Sequence, residues 1–414
     1  MAKTGSHIEI GLTRRQFLKS SALLGIGLVG TSPWTPSHAD GPLNPGTYHQ
    51  ILADVQNAPL AMYGVHQGAS SGELEKAILA AAEAATDFSW LKPGDRVFIK
   101  PASNSPNPFP ATTHPAAIRT VSRLLKDHGA GKILVGDQAG VQHVHPCRDK
   151  TRGSTRAVMM KNGLFREIEP GGAEPYLFEE AGYDAFFPAE PPQGSHWREP
   201  ILLPTVLKEV DHVIYLPRIS THMVAGITLA AKIAVGWLRE DSRLELHRDA
   251  KTFHEKAAEI NGAPEIRRKL RLILSVGNSA QTTWGPDFGY EALPEYGLVV
   301  ASENLATHDL LATAYLNLLK KDNTPWTQKG LEGSWWGASV FNRSLVTLFW
   351  SPGQGLRTEH LPSADFENPW IHPTTVRSME IFGKPVQRPT LINVGETVPP
   401  SLIHKLEQQV FLTV

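Results

Sequence analysis

The segment Val-Gln-His-Val-His-Pro-Cys, residues 141–147, carries His143, His145 and Cys147, the last being the single cysteine of the 414-residue chain. In an extended segment alternate side chains share a face, so two imidazoles and a thiol at this spacing could line one side of it. Such donors suit zinc, copper or iron, with Asp137 nearby as a further oxygen ligand or as an orienting group. Pro146 bends the strand that this alignment needs, and the spacing is not that of a finger or ribbon. A substrate-facing polar loop and a plain structural loop therefore stand beside the metal reading. One thiol excludes a disulfide framework within the chain. It also excludes a cysteine-ligated iron–sulfur cluster, which takes about four thiolates.

Other chemically capable side chains fall where strands end. Lys100 closes the apolar run Val-Phe-Ile-Lys, Asp137 closes Ile-Leu-Val-Gly-Asp, and Ser220, Thr221 and His222 follow Val-Ile-Tyr-Leu-Pro. His114 sits in the first turn of a helix, where the amide groups and dipole favour an anion. Lys232 interrupts the otherwise apolar segment 224–238. An unpaired charge buried there costs several kcal/mol, so Lys232 must reach a carboxylate, a ligand or solvent. Thr228 lies four residues earlier on the same helical face. His247 and His254, seven apart among charged residues, read as solvated histidines.

The elements that position these residues alternate. Residues 72–88, 113–130, 224–238 and 305–321 read as helices, the second opened by a Thr113 cap and stopped at Gly129. Residues 95–101, 132–138, 211–220, 271–276 and 297–302 read as strands. Strands separated by helices predict an α/β fold with a mainly parallel sheet and helices on both faces. In such sheets ligands bind outside the carboxyl ends of the strands, which is the rim that Lys100, Asp137 and His222 occupy. Four regions are expected: a signal peptide over 1–39, an extended N-terminal arm over 40–71, the α/β domain over 72–325, and a C-terminal extension over 326–414. The extension, irregular and rich in Gly and Pro, carries Trp326, Trp335, Trp336, Trp350 and Trp370 and is expected to pack on the domain.

The N-terminus indicates compartment. Arg14-Arg15, followed by Phe17-Leu18-Lys19, a short apolar run and Ser37-His38-Ala39, resembles a twin-arginine export signal. The run is shorter than the roughly 20 residues that span a bilayer. The expectation is a periplasmic or otherwise exported protein, handled by the twin-arginine translocation machinery, with no transmembrane segment after signal removal. A net charge of −1 and the absence of a basic run predict no nucleic-acid partner.

The segment order Val-Phe-Ile-Lys-Pro, Thr-Thr-His-Pro, Ile-Leu-Val-Gly-Asp, Val-Ile-Tyr-Leu-Pro with the following Thr-His and Ala-Lys, and Gly-Leu-Val-Val-Ala-Ser resembles the family called domain of unknown function 362, over about residues 92–312. The resemblance implies a shared polar site at Thr113, His114, Asp137, His222, Lys232 and Asp309. The chain departs from the family pattern at Ala102, Ser220 and Ile233, where Asn, Lys and Asn are usual, although Asn104 lies near the first. The layout also looks like lactate-racemase-type enzymes at the level of fold. The sequence thus predicts an enzyme that binds a small anionic or hydroxylated molecule, with Asp137, His222 and Lys232 as catalytic candidates and Lys100, Asn104, Thr113, His114 and Asp309 as binding candidates. Two alternatives are a non-catalytic metal- or cofactor-binding accessory protein using His143, His145, Cys147 and Asp137, and a structural or partner-binding protein using the Trp-rich tail.

Overall fold

The computed structural model describes residues 59–325, 368–383 and 389–410. Residues 1–39, where a signal peptide is expected, most of the expected N-terminal arm, and Trp326, Trp335, Trp336 and Trp350 lie outside the described residues. Eleven strands form the main sheet, numbered here in chain order: β1 (Leu60–His66), β2 (Arg96–Pro101), β3 (Lys132–Val135), β4 (Glu174–Pro175), β5 (His212–Leu216), β6 (Arg218–His222), β7 (Gly226–Thr228), β8 (Leu270–Gln281), β9 (Glu291–Ala292), β10 (Tyr296–Ser302) and β11 (Leu391–Asn393). The order across it is β11-β1-β10-β8-β5-β2-β3-β4. Strands β8, β5, β2, β3 and β4 run parallel to one another, and β10 runs antiparallel between β8 and β1.

The expected layers are present. Helix α1 (Ser71–Ala85) starts at a Ser70–Glu73 capping box and buries Leu74, Ala77, Ile78 and Ala81. Helix α2 (Pro115–Asp127) buries Ile118, Val121, Leu124 and Leu125. Its N-cap is His114 rather than the expected Thr113, because Thr113 is drawn into the sheet rim. The two cores lie on opposite faces, as the two-residue period of a strand requires. Val97 and Ile99 of β2 pack with Ile78 and Ile118, while Phe98 packs with Tyr215, Trp237 and Phe253. Lys100, two residues after Phe98, therefore falls on the Trp237 face, with its ammonium 5.8 Å from the centre of that ring.

Three expectations are corrected. Residues 60–66, assigned to a surface arm, are β1 inside the sheet. Leu60, Ala61, Met62 and Val65 are buried, and the Gly- and Pro-rich flanks hid this short apolar run. Segment 224–238 is not one helix but strand β7, a single helical turn α3 (Ala230–Ile233) and a 3-10 turn at Ala234–Trp237. An all-apolar stretch has no period to separate helix from strand, and Gly226 at φ 74° sets the hairpin between β6 and β7. The tail is not wholly irregular, since β11 joins the sheet edge beside β1 and two helices, Pro373–Phe382 and Pro400–Val410, are formed.

His247 and His254, expected in water, lie in α4 (Glu240–Arg248) and α5 (Phe253–Glu259), where His247 is half-buried. His254 is buried with its ring edge-on to His372 at 5.2 Å. Burial pushes His247 down to about 3 and His372 to about 4, and holds His254 and His222 well below the usual 6.5. All four stay neutral in the fold but gain a proton when unfolded below pH 6.5, so stability must fall as pH drops through that value. Unfolding midpoints in urea should decline between pH 6.5 and 5, above the range where carboxylates titrate. His254→Gln should flatten that slope. A midpoint constant across this interval would contradict four histidines held neutral by the fold.

Candidate functional site

A cavity of about 130 Å³ opens beyond the carboxyl ends of β2, β3 and β6, roofed by α3, the 234–237 turn and the loop carrying Pro286 and Asp287. Its floor begins with a buried ion pair. Strands β2 and β3 are parallel neighbours with Ile99 opposite Val135, so the residues that leave their ends meet at one rim. The Lys100 Nζ lies 2.6 Å from Asp137 Oδ1 and also donates to the Pro101 carbonyl at 3.0 Å. Burial pushes the Lys100 ammonium down, and Asp137 opposes this. Asp137 further accepts the backbone N–H of Ser103 and of Gln138, each at 2.7 Å. With three donors on one carboxylate, Asp137 holds Lys100 and two loops rather than standing free as a base. A Cβ at Gly236 would collide with Asp137 Oδ1 and Lys100 Nζ, so only glycine lets the turn close over the pair.

Two guanidinium groups share the cavity wall. Arg243 of α4 donates to the carbonyls of Ala139 and Gln138 at 2.8 Å, Leu238 at 3.0 Å and Gly236 at 3.2 Å, tying the loop after β3 to the roof. Arg218, which opens β6, donates to the carbonyls of Ala111 and Pro286. Burial pushes both down to about 10, which leaves them charged at neutral pH. The other acid of the lining, Asp287, receives the side-chain amides of Asn104 at 2.8 Å and of Gln142, and His143 Nε2 lies 3.6 Å from it.

Lys232 and His222 form the remaining polar pair. His222 Nδ1 accepts the backbone N–H of Val224 at 3.1 Å and of Ala225 at 3.2 Å, while its Nε2 lies 3.1 Å from Lys232 Nζ. Burial, then Arg218 and Arg243, push the Lys232 amine down to about 7. Asp309 of helix α6 (Leu305–Asn323) supports this lysine from behind, accepting the N–H of Ala230 at 2.9 Å and of Ala231 at 2.8 Å and so capping α3.

The structure thus brings Lys100, Asn104, Asp137, His222 and Lys232 into one cavity lining. Thr113, His114 and Asp309 do not line it. Thr113 stitches the ends of β2 and β5, accepting the Ala102 N–H at 2.8 Å and donating to the Leu216 carbonyl. His114 accepts the Ala116 N–H at 3.2 Å as the cap of α2, its ring 4.6 Å from Phe109. Arg218, Gly236, Arg243, His247 and Asp287 are lining residues that the sequence reading missed. Only Arg218, next after a strand and a proline, carried a positional signal. Arg243 reads as one more charge on a polar helix, and Asp287 as a turn residue among Gly and Pro. Of the three departures from the family pattern, Ala102 and Ile233 line the cavity and Ser220 donates to Gln281 Oε1 at 3.2 Å beside it.

The expected histidine–cysteine set is only partly assembled. His145, Cys147 and Glu240 bring their ligand atoms within 4.8 Å of one another, with His145 Nδ1 against Glu240 Oε1. His143 is not among them, because residues 141–143 form a turn closed by a His143 N–H to Gly140 carbonyl bond at 2.8 Å, and period-two alternation does not operate across a turn. The extended part is just Val144–His145, paired with Arg152–Gly153. Burial, with Glu240 next, pushes the Cys147 thiol up, and burial pushes His145 down. Imidazole, thiol and carboxylate together could hold a borderline-soft divalent ion.

No curated protein matches the sequence. Among solved structures, the chain is similar to a protein from Thermotoga maritima, at 12% identity over 52% of this chain and 53% of that one, with a TM-score of 0.32. It is also similar to the lactate racemase apoprotein from Thermoanaerobacterium thermosaccharolyticum, at 13% identity over 53% and 51%, with a TM-score of 0.34. The chain thus spans about half the length of each. No helix among the described residues is long and apolar enough to cross a membrane. Residues 97–314, just over half of the 414, match the family described as domain of unknown function (DUF362), and the chain belongs to that family.

Proposed function

We propose that the protein is an exported enzyme that takes a small anionic substrate into the cavity at the sheet rim, with Lys232 as the proton carrier and His222 as the group that positions it. The observation that carries this reading is the convergence of Lys100, Arg218, Lys232 and Arg243 on one cavity whose lining acids are Asp137 and Asp287. Cations shielded from water attract an anion far more strongly than they would at a surface. Asp137 serves by holding Lys100, since its oxygens already accept three donors. Lys232, with its protonation balanced near neutral pH, is suited to exchange a proton with a bound molecule. Asn104, at the mouth, supplies an amide for a substrate oxygen. Calorimetry with oxalate as the probe should register binding that tightens as pH falls through about 7, where Lys232 gains its proton. Gly236→Val, which displaces Lys100 and Asp137, should weaken it by at least about tenfold, or roughly 1.4 kcal/mol. Oxalate binding to a folded Gly236→Val variant as tightly as to the parent would end the reading.

Export rests on the Arg14-Arg15 signal, which lies outside the described residues. Changing both arginines to lysine should leave the full-length precursor in the cytoplasm. Unchanged appearance of a mature chain beginning near Asp40 in the exported fraction would remove the twin-arginine reading.

A second reading, metal binding by a Cys147 site, is favoured by the group of His145, Cys147 and Glu240. A bound zinc, copper or iron ion would require the Cys147 thiolate and shield it. Elemental analysis of protein purified without chelators should then find about one ion per chain, lost in Cys147→Ser. Equal metal content in the parent and the variant would dismiss this site.

A further inference from the structure

We infer that Lys232 is held as a free amine by His222 and forms an imine with a small 2-oxo acid in the cavity. The inference rests on the anion-binding reading above and narrows it to carbonyl-bearing carboxylates. Its foundation is hydrogen-bond geometry. His222 Nδ1 faces two backbone N–H groups, of Val224 and Ala225, and an N–H can only donate, so Nδ1 carries no proton. The single proton of the neutral ring therefore sits on Nε2, the atom 3.1 Å from Lys232 Nζ. An ammonium has three donors and no lone pair, and could not accept from Nε2–H. The contact is satisfied only when Lys232 is –NH₂.

The surroundings act in the same direction. Arg218, Arg243, His222, His247 and His254 lie around the amine, and the Phe253 ring centre is 6.0 Å from it. Its amine is depressed to about 7 by burial and by the two arginines. A lysine desolvated beside other cations is the condition under which an amine becomes a nucleophile toward carbonyl carbon.

Substrate class follows from size and charge. The cavity, about 130 Å³, has room for a small molecule. Arg218 and Arg243 supply positive charge for a carboxylate, and a carbonyl on the adjacent carbon would be carried toward Lys232. In the reaction, the Nζ lone pair forms a C–N bond to the carbonyl carbon, and the C=O π pair moves to oxygen. That oxygen gains a proton while Nζ loses one, giving a carbinolamine. The C–O bond then breaks, water leaves with the second Nζ proton, and a C=N bond remains. Amine and ketone are converted to imine and water, with no oxidant or reductant. His222 is a positioning residue, since it acts by keeping Nζ unprotonated between turnovers.

The test is reductive trapping on the purified full chain, with pyruvate as the probe and cyanoborohydride as the reductant, followed by peptide mass mapping. A reduced adduct on Lys232, suppressed by excess oxalate and absent from both Lys232→Met and Lys232→Arg, is the expected result. The midpoint of labelling against pH should lie at about 7 and move upward in His222→Gln, whose side-chain carbonyl can accept from an ammonium. Adducts spread over surface lysines with Lys232 unmodified, in protein that still binds oxalate, would overturn the imine while leaving the anion site intact. Failure of oxalate to bind as well would remove both. A labelling midpoint unchanged in folded His222→Gln would overturn the role given to His222.

Discussion

The Lys100–Asp137 ion pair, closed off from water at the ends of two adjacent parallel strands, is the contact on which the rest of the site depends. Two opposite charges 2.6 Å apart in a dry interior attract strongly, but each has lost its hydration, so the pair persists only where every remaining lone pair and proton finds a partner. That condition is met here by the Ser103 and Gln138 amides on Asp137 and by the Pro101 carbonyl on Lys100. Removing one partner of such a pair strands the other charge, at a cost of about 3–5 kcal/mol. The same requirement explains the turn above it. Gly236 passes so close to both head groups that any side chain would separate them.

A second cost is handled differently. Among the described residues, Arg218 and Arg243 have no carboxylate in direct contact, and Arg243 instead spreads its charge over four backbone carbonyls. Those bonds fix the loops at the mouth of the cavity, so the groups that would attract an anion are also the groups that keep its container in shape. Among the described residues, Lys232 has neither a carboxylate nor a set of carbonyls to face. It sits instead against an imidazole whose Nδ1 accepts two backbone amides, and burial shifts this amine toward its uncharged form, its pKa brought down to about 7. One rim therefore holds three cations with different supports and one amine whose charge is balanced near neutral pH.

Much of this was written locally in the chain. The apolar runs of β2 and β3, the capped and striped helices α1 and α2, and the long α6 follow from period and end signals alone. Because strand ends are visible in sequence and ligands gather at the carboxyl ends of parallel strands, Lys100, Asp137 and His222 could be placed on the rim without coordinates. Lys232 was visible too, as one charge in an apolar stretch, although the stretch proved to be a strand and two short turns rather than one helix.

The tertiary structure alone decided which distant residues completed the site. Asp287 meets Asn104 across 183 residues, and Arg243 meets Ala139 across 104, separations over which hydrophobic period carries no information. It also decided that β10 would run antiparallel, that β1 would enter the sheet, and that His247 and His254 would leave water. Each depends on the face that a neighbouring element covers, and solvent exposure is a property of the packed chain rather than of a residue's flanks. His143 and His145 show the boundary between the two kinds of information. Their spacing puts them on one face of any strand, but a turn ending at His143 sends one imidazole toward Asp287 and leaves the other with Cys147 and Glu240. Residue type and spacing thus determined which chemistry was available, whereas backbone geometry at single peptide units decided which of those groups meet.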